Sequence, residues 1–338
     1  MSKNGLPRKP LTKRRLKNLI LNVLKNPFNM VVLVSLIILF CLIIIPLLTM
    51  ISSTFTLAQG ELRRVQGHVG DFTLYYWKYI LASTMSSAVL WGPLKNSFVC
   101  GFFTVLVSVP LGSVLAWLMI RTDIPGKKIL GLLVTVPYMI PSWTKALAWL
   151  AMFRNSTSGA NGFLAGMGIP IPDWLAYGPI AIVLCMSMHY YAFSYIMVSG
   201  ALRSINSELE EMGEIQGASK AQILRHITLP LILPSVLSAT VMTISKSIGT
   251  YGVPANLGNR IGYYTLATKM RNFIDQGPQA VGYAMSIVLV LLAAVIIFSN
   301  QRIVGVRKSY ATVSGKGGRA TLMPLGKAKK PLMAFLMV

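Results

Sequence analysis

Acid is what this chain lacks. Nine Asp and Glu stand against 32 Lys and Arg in 338 residues, and charged residues of all kinds make up only 12%. A soluble domain carries about 25% charged residues, so composition excludes a water-soluble globule. Cysteine and histidine are sparse too, at three each. Cys41, Cys100 and Cys185 each lie inside an apolar stretch without C-x-x-C spacing. They read as small hydrophobes, not as a disulfide framework or redox pair. His68, His189 and His226 are scattered and none has an H-E-x-x-H neighbour, so no metal cage is expected and the histidines read as satisfied or exposed. A phosphate-binding loop is also missing: Gly315-Lys316 has Tyr310 where the first glycine should stand and Gly317 in place of Ser/Thr. The chain is therefore expected to carry no catalytic residues and no cofactor. Any nucleotide energy it uses must be bound by another subunit.

Apolar residues are what it has, at 54% of the chain with a mean hydropathy of +0.61. They gather in six blocks, roughly 28–51, 94–120, 129–153, 179–201, 229–250 and 280–300, each near the ~20 residues a helix needs to cross a bilayer. The net charge of +23 does not point to nucleic acid, because the basic residues flank the apolar blocks and do not interleave with aromatics on a polar face. The first block is longer than the apolar core of a signal peptide and no clear A-x-A follows, so it reads as an uncleaved span. Residues 1–27 carry eight Lys/Arg and no acid, and 302–330 carry eight more. The 121–128 and 201–228 connections add three each, whereas the alternate segments hold seven in all. The positive-inside rule then places both termini in the cytoplasm, as an even number of crossings requires. The expectation is an all-α polytopic membrane protein of six transmembrane helices in a bacterial cell membrane. It comprises a basic cytoplasmic segment 1–27, a six-span domain 28–300 and a basic tail 301–338. The closing "PLMAFLMV" reads either as the start of a seventh span or as a short peripheral tail.

Pro46, Pro110, Pro137, Pro141, Pro234 and Gly112 interrupt the spans; such breaks mark moving or pathway-lining helices, or simple kinks. Two lysines lie inside blocks. Lys246, near the outer end of its span, reads as a side chain reaching for the headgroups. Lys145 is deeper and follows the break at Pro141, and a central lysine costs about 2.5–3.5 kcal/mol on insertion scales. It reads as either an interfacial anchor or a cation in an aqueous cavity. Trp77, Trp91, Trp143, Trp149 and Trp174 sit near outer ends, as an aromatic belt does.

Four of the nine acids, Glu208, Glu210, Glu211 and Glu214, fall within seven residues of "SELEEMGEIQGASKAQILRHITLPLILP". The pattern predicts two short helices in a cytoplasmic loop. Ser207 with Glu210 and Ser219 with Gln222 form capping boxes, and Gly217 sits between the helices in the place of a left-handed residue. Ile205, Leu209 and Met212 share one face, and Leu224, Ile227 and Leu231 share another. Pro230 is expected to restart the chain as the next membrane helix. The plain alternative is a solvated loop whose acids complement helix N-termini. A compact, twice-capped element with an apolar stripe instead suits docking into a partner's groove.

This stretch resembles the cytoplasmic loop of ABC-importer permeases, E-A-A, three residues, G, nine residues, I-x-L-P. Glu211, Gly217, Ile227 and Leu229-Pro230 keep every spacing, with Met212 and Gly213 in place of the two alanines. The resemblance runs over 28–310. "GPLKNSFVCGFFTVLVSVPLGSVLAWLMIRTDIPGKK" is similar to the start of the permease core, and "SIGTYGVPANLGNRIGYYTLATKMRNFI" to permeases of the ferric-iron, thiamine, polyamine and phosphonate group. It implies a non-enzymatic permease subunit within the membrane lipid. Its partners would be cytoplasmic ABC ATPase subunits, an extracytoplasmic substrate-binding protein and a second permease half, fused or separate. The implied ATPase-coupling residues are Glu210, Glu211, Gly217, Ala218, Ile227, Leu229 and Pro230, within 203–230. The pathway candidates are Pro141, Lys145, Lys246 and Tyr251. Ferric iron is the first expectation for cargo, phosphonate or another oxyanion the second, polyamine or thiamine the third. An ion-gradient transporter would put acids inside its spans, and none of the six blocks contains one. A structural anchor would leave the docking loop unexplained.

Overall fold

The computed structural model describes residues 27–61, 65–156, 159–305 and 329–337. Nearly all of the basic N-terminal segment, and residues 306–328 of the tail, lie outside the described residues. Among those described, the elements are helical, joined by one isolated bridge between Thr56 and Phe72. Two compact units divide between Leu74 and Tyr75.

The first unit is a helix and a small loop. Helix α1 (Pro27–Ser53) contains no charged residue and no buried one. At 1.5 Å per residue it is about 40 Å long, and its all-round apolar surface suits lipid. The loop after it closes on itself: Thr73 donates to the Phe55 carbonyl, Leu57 to that of Asp71, and the Phe55 and Phe72 rings stack at 6.0 Å.

The second unit starts with α2 (Tyr75–Ala82) and a wide turn leading into α3 (Gly92–Arg121). Helices α4 (Lys127–Met139) and α5 (Ser142–Phe153) follow, then α6 (Pro179–Ser204), α7 (Ser207–Ile215) and α8 (Lys220–Ile223). After α8 come α9 (Leu229–Gly249), α10 (Gly252–Leu257), α11 (Leu266–Gln276), α12 (Gln279–Gly305) and α13 (Lys329–Met337).

Among the described residues, five helical stretches are long and apolar enough to cross a membrane: Pro27–Ser53, Ser87–Arg121, Asp173–Ser204, Lys220–Gly249 and Gln279–Arg302. The third expected block, 129–153, is not a single helix. Pro141 has no N–H and adopts φ −54°, ψ 141°, and the chain splits there into α4 and α5. The two pieces nevertheless follow α6 end to end. Leu130 and Val134 of α4 pack beside Tyr195, Val198 and Leu202, while Ala146, Trp149 and Leu150 of α5 pack beside Ala181, Ile182 and Cys185. The broken pair thus runs antiparallel to α6 along its length. A third cluster joins α2, α11 and α12 through Tyr76, Ile80, Leu266 and Met285.

The α3–α6 contact depends on small residues, as helix contacts in lipid do. A Cβ on Gly112 would lie 2.3 Å from the Tyr191 carbonyl oxygen and 2.7 Å from the Tyr195 nitrogen. Gly112 is therefore a point of backbone contact between helices, not a flexible break. Buried Thr104, Ser108, Ser187 and Ser194 continue the seam. Beside it, Lys329 of α13 pairs with Asp123 at 2.9 Å, and Leu332 packs onto the α3–α4–α6 cluster. Gly112→Leu should push α3 and α6 apart and cost about 1–3 kcal/mol or more, as overpacking does. A lower melting temperature of the purified protein in detergent checks this; unchanged melting would contradict the contact.

Candidate functional site: a docking element and a cation cluster

The 205–230 stretch forms the compact element its sequence suggests, with differences in detail. The cap of α7 is Asn206, one residue earlier than expected: its Oδ1 accepts from the Glu208 N–H at 3.2 Å, and Ser207 is the first helical residue. An Asn in extended backbone is as good a cap as Ser. Gly217 stands at φ +83°, donates to the Glu214 carbonyl, and lets Ala218 reach back to Gly213, as in a left-handed helix end. Ser219 and Gln222 form the expected capping box.

Gly213, which replaces an alanine of the motif, sits against the following helix. A Cβ there would lie 3.2 Å from both Ile223 and Ile227. The missing methyl lets α7 fold closely onto α8. Outward, the element presents Met212 and Ile215, 57% and 85% exposed, with Glu211 partly covered beside them. Leu209 is exposed as well, whereas Ile205 packs onto the α3–α4–α6 cluster.

Pro230 stands in the first turn of α9, as expected, but the helix does not break before it. From Lys220 the helix continues through a wide turn, Leu224–Thr228, where Leu229 donates back to Leu224, and on to Gly249. The i→i−5 turn accommodates a proline that has no N–H to give to the turn before it. Leu229 and Pro230 lie on its exposed side. The second half of the element, from Lys220, and the membrane helix are thus one rod.

Arg121, grouped by sequence with the loop cations, is the last residue of α3 and only 2% exposed. Its Nη1 lies 3.2 Å from Glu210 Oε2 and its Nη2 donates to the Leu202 carbonyl at 3.3 Å. Glu210 also accepts from the Thr228 hydroxyl at 2.7 Å. The acid is thus no solvated complement to a helix terminus. No local pattern pairs residues 121 and 210; only the folded contact of α3 with α6 brings them together.

The second constellation lies where α4 breaks. A helical Pro137 carbonyl would accept from the N–H of residue 141, but that residue is proline. Lys145 Nζ donates to this freed oxygen and to His189 Nδ1. The His189 ring stacks on Tyr138 at 5.2 Å. Lys246 reaches the Tyr138 hydroxyl at 3.2 Å and lies 5.0 Å from the Phe193 ring centre. Lys145 and Lys246, 101 positions apart, thus join one chain of contacts through His189 and Tyr138, residues the sequence did not single out. Pro137, Lys145, Trp149, Met188 and Tyr191 line a cavity of about 470 Å³ here. Tyr251 stands apart and exposed. Nearer the Arg121 end, Lys127, Lys128 and Arg203 border a second cavity of about 720 Å³. Burial lowers the Lys127 ammonium below the usual lysine range, against the opposing pull of Asp123.

Gly217→Val would force a branched residue into left-handed backbone, at about 1–2 kcal/mol. Faster amide exchange confined to the 213–223 turn is the expected result; unchanged protection there would contradict the hinge geometry.

The family described as "Binding-protein-dependent transport system inner membrane component" matches residues 108–308. A probable sulfate transport system permease protein of Marchantia polymorpha is 27% identical over 180 residues, 52% of this chain and 59% of that protein. The chain therefore spans less than two thirds of that relative. A putative 2-aminoethylphosphonate transport system permease protein of Salmonella typhimurium is 28% identical over 213 residues, covering 63% of this chain and 74% of the relative. In fold, a chain from a bacterial ABC transporter involved in the import of the acidic polysaccharide alginate aligns at TM-score 0.63 and 19% identity, covering 86% of this chain and 99% of that one.

Proposed function

The chain belongs to the binding-protein-dependent transport system inner membrane component family, and we propose that it is the permease subunit of an ATP-driven importer whose cargo is an oxyanion. The observation that carries the coupling half of this reading is the unbroken rod from Lys220 to Gly249. Glu211, Gly217 and Ala218, with exposed Met212 and Ile215, form the face a cytoplasmic ATPase subunit grips. The rod, through Ile227, Leu229 and Pro230, carries the motion of that subunit into the membrane. The permease itself does no bond chemistry. It makes one wall of a cavity that opens to alternate sides, a second six-span half makes the other, and an extracytoplasmic binding protein delivers cargo. ATP binding shifts the balance between the two states and hydrolysis resets it; cargo moves because its affinity differs between them.

The α4–α5 pair counts as one crossing in this reading, which brings the total to six and puts both termini in the cytoplasm. In a cysteine-free background, single cysteines at Ser2, Lys127 and Lys316 should resist an impermeant thiol reagent in intact cells, while those at Ser158 and Gln276 react. Reaction at Lys127 would overturn this orientation.

The cargo class rests on the cation cluster together with the relatives' names. Sulfate and 2-aminoethylphosphonate are oxyanions; ferric iron, the first expectation from sequence, is named by neither. Lys145, with one N–H left after Pro137 and His189, and His189, whose Nε2 is the remaining donor when Nδ1 accepts, offer a tetrahedral anion converging donors. Lys246 adds charge, and Pro141 keeps the helix open beside them. A polyamine would be repelled. Lys145→Ala should lower maximal uptake of sulfate or phosphonate in reconstituted vesicles about tenfold or more, the scale of one lost charge-assisted hydrogen bond, with binding-protein affinity unchanged. Lys145→Arg should retain part of it. Uptake of both anions at the wild-type rate by Lys145→Ala would remove the cluster from the pathway.

A further inference from the structure

We propose that Arg121 is a positioning residue that latches the docking element to α3, so that ATPase motion enters the membrane through two helices and not through α9 alone. The inference rests on the docking reading and goes beyond it, because Arg121 lies in neither the motif nor the rod.

The geometry is specific. Arg121 is the last residue of α3, and its guanidinium is almost wholly withdrawn from solvent, with 2% of the side chain exposed. A buried guanidinium needs a counter-charge and acceptors. It has both on different elements: Glu210 of α7 at 3.2 Å and the Leu202 carbonyl of α6 at 3.3 Å. Glu210 in turn accepts the hydroxyl of Thr228, in the wide turn joining α8 to α9. Four pieces of chain therefore meet at one ion pair. Glu210 can leave Arg121 only by exposing an unpaired charge inside protein, which fixes α7 in direction as well as position. Gly112 lies two and a half turns up the same α3, seated on the backbone of α6. A displacement of α7 is thus handed to α3 and, through that seam, to α6, on which the Lys145–His189 cluster is built. Nε and Nη1 have no hydrogen-bond acceptor among the described residues, so Arg121 meets Glu210 as an ion pair through Nη1 and is hydrogen-bonded only through Nη2, to Leu202.

The test uses the complete importer, with ATPase subunits, binding protein and second half, reconstituted in vesicles. Arg121→Gln should keep the ATPase attached and hydrolysing while uptake per ATP falls at least tenfold. The exchanged pair, Arg121→Glu with Glu210→Arg, should recover most of the ratio. Thr228→Val, which keeps shape and loses the hydroxyl, should lower the ratio by about threefold. Spin labels at exposed Val114 and Glu208 should report, in the otherwise wild-type protein, a distance that stays the same between nucleotide-free and ATP–vanadate states. That measurement decides the matter if Arg121→Gln fails to insert. A wild-type ratio in Arg121→Gln, or a label distance that changes with nucleotide, overturns the latch. Loss of ATPase attachment by the unaltered chain would instead overturn the docking reading beneath it.

Discussion

Everything in this molecule answers to the absence of water in a hydrocarbon layer. There a peptide group or a charge must find its partner within the protein, at a cost of several kcal/mol if it does not. Long helices satisfy their own backbone, which is why α1, α3, α6, α9 and α12 dominate. Breaking a helix has to be compensated. Pro141 removes the hydrogen that the Pro137 carbonyl would have accepted, and Lys145 supplies another. The same ammonium that repairs the helix also places a cation beside a cavity. In the proposed reading a structural need and a transport function are met by one side chain, which would account for a lysine inside an apolar block where lysine is otherwise rejected.

The Arg121 end of the molecule follows the same logic with ions. Arg121 is buried because α3, α6 and α7 converge on it, and Glu210 is where its charge is balanced. Buried ion pairs are weak sources of net stability, because desolvation offsets attraction, but breaking one costs about 3–5 kcal/mol. Such a contact fixes geometry better than it adds stability, which is what a joint between a docking element and a membrane helix requires. The wide turn at Leu224–Thr228 serves the same end, since it lets the helix pass Pro230 without a break.

Much of this was legible in the sequence. Block lengths were enough for an all-helical membrane protein, and the caps and apolar stripes of 205–230 were enough for a compact two-helix element, down to the Ser219–Gln222 box and the left-handed Gly217. What escaped had physical reasons. Asn206 displaced Ser207 as the cap because both residues can serve and only backbone φ/ψ chooses between them. The continuity of the helix behind Pro230 was hidden because proline removes a helical bond, a loss that the i→i−5 turn absorbs. Gly112 looked like a break and is a contact, a distinction that belongs to the neighbouring helix. His189 and Arg121 carried no local signal, since their partners lie 44 and 89 positions away.

The central claim is that 205–230 is a mechanical joint between an ATPase and the membrane helices. Ala218→Cys, in an importer otherwise free of cysteine, tests it most directly, with a panel of single cysteines along the facing groove of the ATPase. The account predicts a disulfide to the ATPase on mild oxidation, transport halted while it is closed, and transport restored on reduction. An Ala218→Cys importer that imports normally and forms no such bond with any cysteine of that panel would contradict it.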